Sequence, residues 1–240
     1  YGKLRGLSAL RAARGIKTGE ASPLRVGREV VSLPRAADYE QRIAAIEAEQ
    51  SRLLKSFRGT SLNFKSFVPL FLQHKLSPEF PAYHNYGYLA EKAQGRDALT
   101  KLDAENRTNL EAYLQNIQAM ERLTHLQANL ALLKRHHAEA VAAGNAALET
   151  EMSGLRVGDF MMVTFPGELT VELGLAVKKR APGKFTFVAG YSNGYLFYLP
   201  TEAQRKNPGY AQEDCDCLVA PEWRKIFDER TDAVLKRLNQ

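Results

Sequence analysis

Cysteine is scarce: Cys215 and Cys217, in EDCDCLV, are the only two in 240 residues. A disulfide between residues two apart is strained, and one C-x-C supplies too few ligands for a metal. Neither a disulfide framework nor a cysteine-based zinc site is expected, so both are read as tolerated thiols. No apolar run approaches the ~20 residues that span a bilayer, which excludes a transmembrane helix. There is no G-x-S-x-G elbow and no glycine-rich phosphate loop, so serine-hydrolase and nucleotide-binding readings lack their motifs. Basic runs beside aromatic residues are also missing. The net charge of +6 is interleaved with acids along most of the chain and is read as a solvated surface, with no nucleic-acid partner expected. The chain opens on Tyr1 rather than Met, so the lack of a leader excludes nothing, and more protein upstream is expected.

What is present is ordinary for a globular chain with a sizeable core: 45% hydrophobic and 25% charged residues. Three regions differ in character. Residues 1–34 open with GKLRGLSALRAARGI, helical in composition and basic on one side, and continue as LRVGREVVSLP, which reads as an irregular strand of the α/β core. Residues 35–147 read as a helical insertion. Tyr39, Ile43, Ile46, Leu53 and Leu54 share a face, and a longer helix is expected from about Ala104 to Ala142. Its stripe of Leu110, Tyr113, Leu114, Ile117, Met120, Leu123, Leu126, Leu130 and Leu133 is best buried in an antiparallel helix pair. His125, His136 and His137 lack an acidic or histidine partner at i+4 and are read as surface or packed histidines. Between the helices, residues 66–91 are rich in Phe, Tyr and Pro, too broken by proline for one regular element, and hold His74 and His84.

Residues 148–240 are the informative part. ETEMSGLRVGDFMMVTF reads as a hairpin turning at Val157-Gly158-Asp159. Strand 159–165, helix 169–180 and strand 185–190 then form a βαβ unit, whose strands pair in parallel. Residues following parallel strands emerge at one edge of the sheet, where open α/β sheets bind ligands. Glu168 follows the first strand, and Asn193, Tyr195 and Tyr198 follow the second, so Glu168 and Tyr198 are expected to be close in space. The Pro166-Gly167 turn is expected to set Glu168 near the first turn of its helix, where the macrodipole favours a carboxylate by roughly 0.3–1 kcal/mol. Two readings stay open on these grounds: a helix-start acid, or a cation ligand. A final helix from about Pro221 buries Trp223, Ile226, Phe227, Val234 and Leu238.

VTFPGELTVELGLAVKKR, followed by FTFVAGYSNGYLFYLPT and Gly209-Tyr210, resembles the later catalytic segment of the neutral/alkaline ceramidases, zinc-dependent amidohydrolases that release the fatty acid from N-acylsphingosine. The pattern is P-x-E at Pro166–Glu168, N-x-Y-x-x-Y at Asn193–Tyr198, then Thr201 and a downstream Tyr. By this resemblance Glu168 and Tyr198 are zinc ligands, and Tyr210 is the catalytic phenol that hydrogen-bonds the reacting carbonyl. Asn193 is expected to brace its turn instead. The family's two histidine ligands have no counterpart here, and zinc takes three or four protein ligands. Zn2+ is therefore expected to need histidines from outside this chain, supplied by an upstream part of the same protein or by a partner chain.

The fold expected is α/β (or α+β): a βαβ-containing mixed sheet with a long antiparallel helical insertion. The function expected is the C-terminal part of a ceramidase-like zinc amide hydrolase, inactive alone, acting on ceramide or a related lipid N-acyl amide, and secreted or periplasmic by the resemblance. The competing reading is a non-catalytic helical interaction module on an α/β base. The two differ in what Glu168 faces: an open polar cleft in the enzyme, or an Arg or Lys in the module.

Overall fold

The computed structural model describes residues 2–17, 19–20, 23–77, 85–183, 185–206 and 215–240. The chain forms two compact units, one of Tyr1–Ala37 with Ala140–Gln240 and one of Asp38–Glu139.

The first unit opens with helix α1 (Gly2–Gly15). Its four-stranded sheet has the order β1 (Leu24–Leu33), β2 (Leu148–Val157), β3 (Phe160–Thr164), β5 (Phe185–Ala189). The hairpin β2–β3 pairs Val157 with Phe160, and Gly158 adopts φ 58°, which a side chain would resist at the tight turn. The β3–β5 pair is parallel, Phe160 to Phe185 through Thr164 to Ala189, with α6 (Val171–Arg180) as the crossover. The fold is thus the mixed α/β architecture expected. Alternation along the strands sends Val31, Leu33, Met152, Met161 and Val163 to one face. There they form a single core with Leu173 and Val177 of α6 and with Trp223, Phe227, Val234, Leu235 and Leu238 of α8 (Trp223–Asn239), which follows the short α7 (Glu202–Arg205).

Strand β1 is more regular than its sequence suggests, pairing with β2 over all ten of its residues. Its alternation is masked by Glu29, which points to the core face, and by Gly27. Helix α8 accounts for Glu29 and, on the neighbouring strand, for Gly154. Arg230 and Arg237 donate to the two oxygens of Glu29 at 2.7 and 2.6 Å, and Gly27 sits opposite Gly154. A Cβ on Gly154 would lie 2.4 Å from Val234 Cγ1 and 2.9 Å from Leu238 Cδ1. The bare backbone is what lets α8 settle on the sheet. Gly154→Ala should therefore destabilise by about 1–3 kcal/mol through overpacking. Adding Val234→Ala should recover part of that loss, read as a coupling energy in urea unfolding of both single variants and the double variant.

In the second unit, α2 (Tyr39–Ser56) runs antiparallel to α5 (Ala98–Ala142). Ascending α2 meets descending α5: Glu47 binds Lys134 at 2.7 Å, Gln50 meets Gln127, and past the helix Arg58 exchanges bonds with Asn116. Leu53, Ala119 and Leu126 are buried between them, with Ile46 and Leu123 alongside. Met120 is 59% exposed and leaves the expected stripe. Helix α5 begins at Ala98 rather than near 104, because the Glu91 carboxylate accepts the Leu99 N–H, one of the first-turn donors a helix cannot satisfy itself.

The proline-rich connector is also more regular than expected. Residues Phe64–Leu76 form one helix, α3, around Pro69, followed by α4 (Tyr86–Ala93); residues 78–84, with His84, lie outside the described residues. The cost of Pro69 is offset by a capping box between Asn63 and Ser66 and by Phe67, which stacks on Tyr113 at 4.4 Å and Phe71 at 5.5 Å. Of the α5 histidines, His125 is exposed, His137 stacks on Tyr39 at 5.8 Å, and His136 is fully buried with Nδ1 3.6 Å from Glu139.

Candidate functional site

The site is built where β3 and β5 end. After Thr164 the chain crosses to the end of β5: Phe165 N–H donates to Ala189 O at 2.9 Å, and Ser192 N–H returns to Phe165 O at 3.2 Å. It then pairs with residues 196–199. Leu196 N–H donates to Pro166 O at 2.6 Å and Glu168 N–H to Phe197 O at 2.9 Å. The result is a second, two-stranded parallel sheet of β4 (Glu168–Leu169) and β6 (Tyr198–Leu199), in which Glu168 and Tyr198 are direct register partners.

This placement corrects one expectation. Glu168 is a strand residue, and α6 starts only at Val171 with Thr170 as N-cap and Glu172 as the acid of its first turn. The macrodipole effect fades beyond the first turn, so strand pairing, and not the helix end, fixes this carboxylate. The signal was absent from local sequence, because a strand two residues long has no periodicity.

Two glycines permit the close approach. A Cβ on Gly190 would lie 2.9 Å from the Gly167 carbonyl oxygen, and one on Gly167 would lie 2.3 Å from Leu199 Cδ1. The intervening loop is strained: Tyr191, Asn193 and Phe197 adopt φ of 54°, 64° and 57°. Bulky residues avoid this region unless their surroundings hold them there, and such strain gathers at functional sites. Tyr191 is held by its N–H on Gly167 O at 3.2 Å. The Asn193 side chain donates to Glu151 Oε1 and Ser153 Oγ on β2, each at 3.3 Å, bracing the turn.

Around Glu168, which is half-buried, stands a set of phenols. The Tyr191 hydroxyl hydrogen-bonds the Glu168 carboxylate, which pushes its pKa up to about 12. Tyr195 is also raised, by burial first and then by the negative charges of Glu168 and Asp216. Both phenols therefore stay protonated at neutral pH. Their rings stack at 5.6 Å, and Tyr195 leans on Phe197 at 5.0 Å. Tyr191 and Asp216 had gone unnoticed in the sequence. They follow from the turn after β5 and from segment 215–219, where Asp216 O accepts the Tyr198 N–H at 3.1 Å and Cys217 bridges Phe197. Both cysteines are buried, and Arg205 Nη2 donates to Cys217 Sγ at 3.2 Å. Tyr210, the expected catalytic phenol, lies outside the described residues.

As a metal centre the set is partial. Glu168 and Tyr198 carry two oxygen-bearing side chains on adjacent strands, fewer than the three or four protein ligands that zinc takes. Among the described residues no group of three or more His, Cys, Asp or Glu is placed to hold a metal, and no salt bridge to Arg or Lys neutralises Glu168.

Fold and site together define a two-layer α/β unit with a carboxylate–phenol cluster at the ends of its parallel strands. No family model matches the chain, and no curated protein matches it. Among solved structures it is similar to a ceramidase complexed with C2, at 21% identity and TM-score 0.31 over 38% of this chain and 15% of that one. It is also similar to the neutral ceramidase from Pseudomonas aeruginosa, at 22% identity and TM-score 0.30 over 38% of this chain and 16% of that one. The chain therefore spans about one sixth of the length of these solved chains.

Proposed function

We propose that this chain carries part of the active site of a zinc-dependent amide hydrolase of the ceramidase kind, with Glu168 and Tyr198 as two of the metal's ligands. One observation carries the reading: the glutamate of P-x-E and the second tyrosine of N-x-Y-x-x-Y are direct partners across the β4–β6 pair. The strained loop and the two glycines that permit the approach support it, since such strain gathers at functional sites.

On this reading Glu168 and Tyr198 hold the metal by oxygen. Tyr191 fixes the carboxylate through its hydrogen bond, and Tyr195 stands beside it as a protonated donor for a polar group of the substrate. Tyr210 takes the role of hydrogen-bond donor to the reacting carbonyl. Zinc bound there supplies a water of pKa near 7 and polarises the carbonyl. The remaining ligands are histidines from another part of the same protein or from a partner chain, and this chain alone is inactive. The substrate is a lipid-like N-acyl amide, ceramide or a relative, met outside the cytoplasm in a secreted or periplasmic setting.

The test is metal content of the protein made from its complete reading frame, as wild type and as Glu168→Gln with Tyr198→Phe. About one zinc per chain, lost in the double variant, is the expected result. A wild type without zinc, or a variant that keeps it, overturns the reading and returns attention to the helical unit.

A further inference from the structure

Helix α1 departs from the interleaved charge of the rest of the chain. Lys3, Arg5, Arg11, Arg14 and Lys17 precede the first acid, Glu20. No residue of α1 is buried, and Leu4, Leu7 and Leu10 are 71%, 55% and 47% exposed. At about 100° per residue, these leucines fall with Lys3, Arg11 and Arg14 inside roughly 120° of arc, while Gly6, Ala9, Ala12 and Ala13 take the opposite side. Three of the helix's four cations thus share a side with the leucines, and Arg5 falls among the small residues opposite. A solvated helix usually sets acids against its cations three or four residues away, and this one has none. Nor is a helix of 14 residues with no buried face stable by itself in water.

We propose that α1 is an interfacial helix that seats this protein on an anionic bilayer surface. Its leucines enter the boundary between headgroups and acyl chains, and its cations meet the lipid phosphates. Long Lys and Arg stems make the mixed face workable, because the charged ends reach up to the headgroups while their methylenes lie beside the leucines. The positive charge matches an anionic leaflet. A nucleic acid would use the cations alone and leave three leucines in water, so the exposed leucines favour lipid. The inference does not rest on the zinc site.

The experiment is co-sedimentation of the full chain with vesicles of phosphatidylcholine alone, or of equal parts phosphatidylcholine and phosphatidylglycerol, with duplex DNA as a competitor. Binding is expected only to the anionic vesicles, and it should weaken as salt rises. Arg11→Gln with Arg14→Gln should weaken it roughly thirtyfold, the equivalent of about 1 kcal/mol for each cation. Leu7→Ser with Leu10→Ser should weaken it by roughly tenfold or more. All four positions are exposed, so unfolding of the first unit should match wild type. Wild type that ignores the anionic vesicles overturns the proposal. So does binding indifferent to the leucine changes, or DNA displacing the vesicles with the leucine variant competing as well as wild type.

Discussion

Trp223→Ala should cost about 3–5 kcal/mol of stability, the usual range for deleting a large aromatic from a core. Trp223 is the single tryptophan, 1% exposed, at the start of α8. Its ring lies 6.5 Å from Phe165 and 5.9 Å from Phe227, and those two meet edge to face at 5.1 Å. The trio joins α8 to the segment that leaves β3 for Glu168. A domain's whole stability is about 5–15 kcal/mol, and the loss should lower the urea midpoint of the α/β unit strongly, followed by circular dichroism. Trp223→Phe should cost less, since it keeps the ring contact. An unchanged midpoint in the alanine variant would mean that α8 does not close the sheet.

Gly190→Ala should damage the site far more than the fold. The added Cβ meets a backbone oxygen, Gly167 O at 2.9 Å, so no side-chain rotation relieves it. The chain must part where Tyr191 N–H bonds Gly167 O, beside the pairing of Glu168 with Tyr198. Stability should fall by only about 1–3 kcal/mol, the range for overpacking. If Glu168 and Tyr198 hold zinc as proposed, the zinc affinity of the protein made from its complete reading frame should fall by roughly tenfold to a hundredfold, the size of loss seen when a metal ligand's supporting contacts are disturbed. The readout is zinc affinity beside unfolding for Gly190→Ala and Gly174→Ala. Gly174 has nothing within 4 Å of an added Cβ, so its variant should keep both properties. Equal zinc affinity in the two variants would show that the strand approach does not position the ligands.

Much of the architecture was legible because it repeats. The apolar run of β3, the Gly158 turn before it, and the strand–helix–strand order from Phe160 to Ala189 each leave a mark in the sequence. Helix α8 was equally plain, with Trp223, Phe227, Val234 and Leu238 buried as their spacing required; only Thr231, buried on the same face, broke the apolar pattern. The misreadings fall where a distant group decides. Pro69 is helical because Phe67 has Tyr113 to stack on. Strand β1 looks irregular until Arg230 and Arg237 arrive to satisfy Glu29.

By itself the sequence determined the parallel crossover and that Glu168 and Tyr198 would emerge at one edge of the sheet, since both follow from chain order and the geometry of parallel strands. Tertiary structure alone decided that Glu168 belongs to a strand, that Tyr191 caps its carboxylate, and that Asp216 stands behind Tyr198. Those features rest on strands two residues long and on left-handed aromatic residues that local preference opposes. Only hydrogen bonds from segments far apart in sequence, Gly167 to Tyr191 and Asp216 to Tyr198, make such conformations the stable ones.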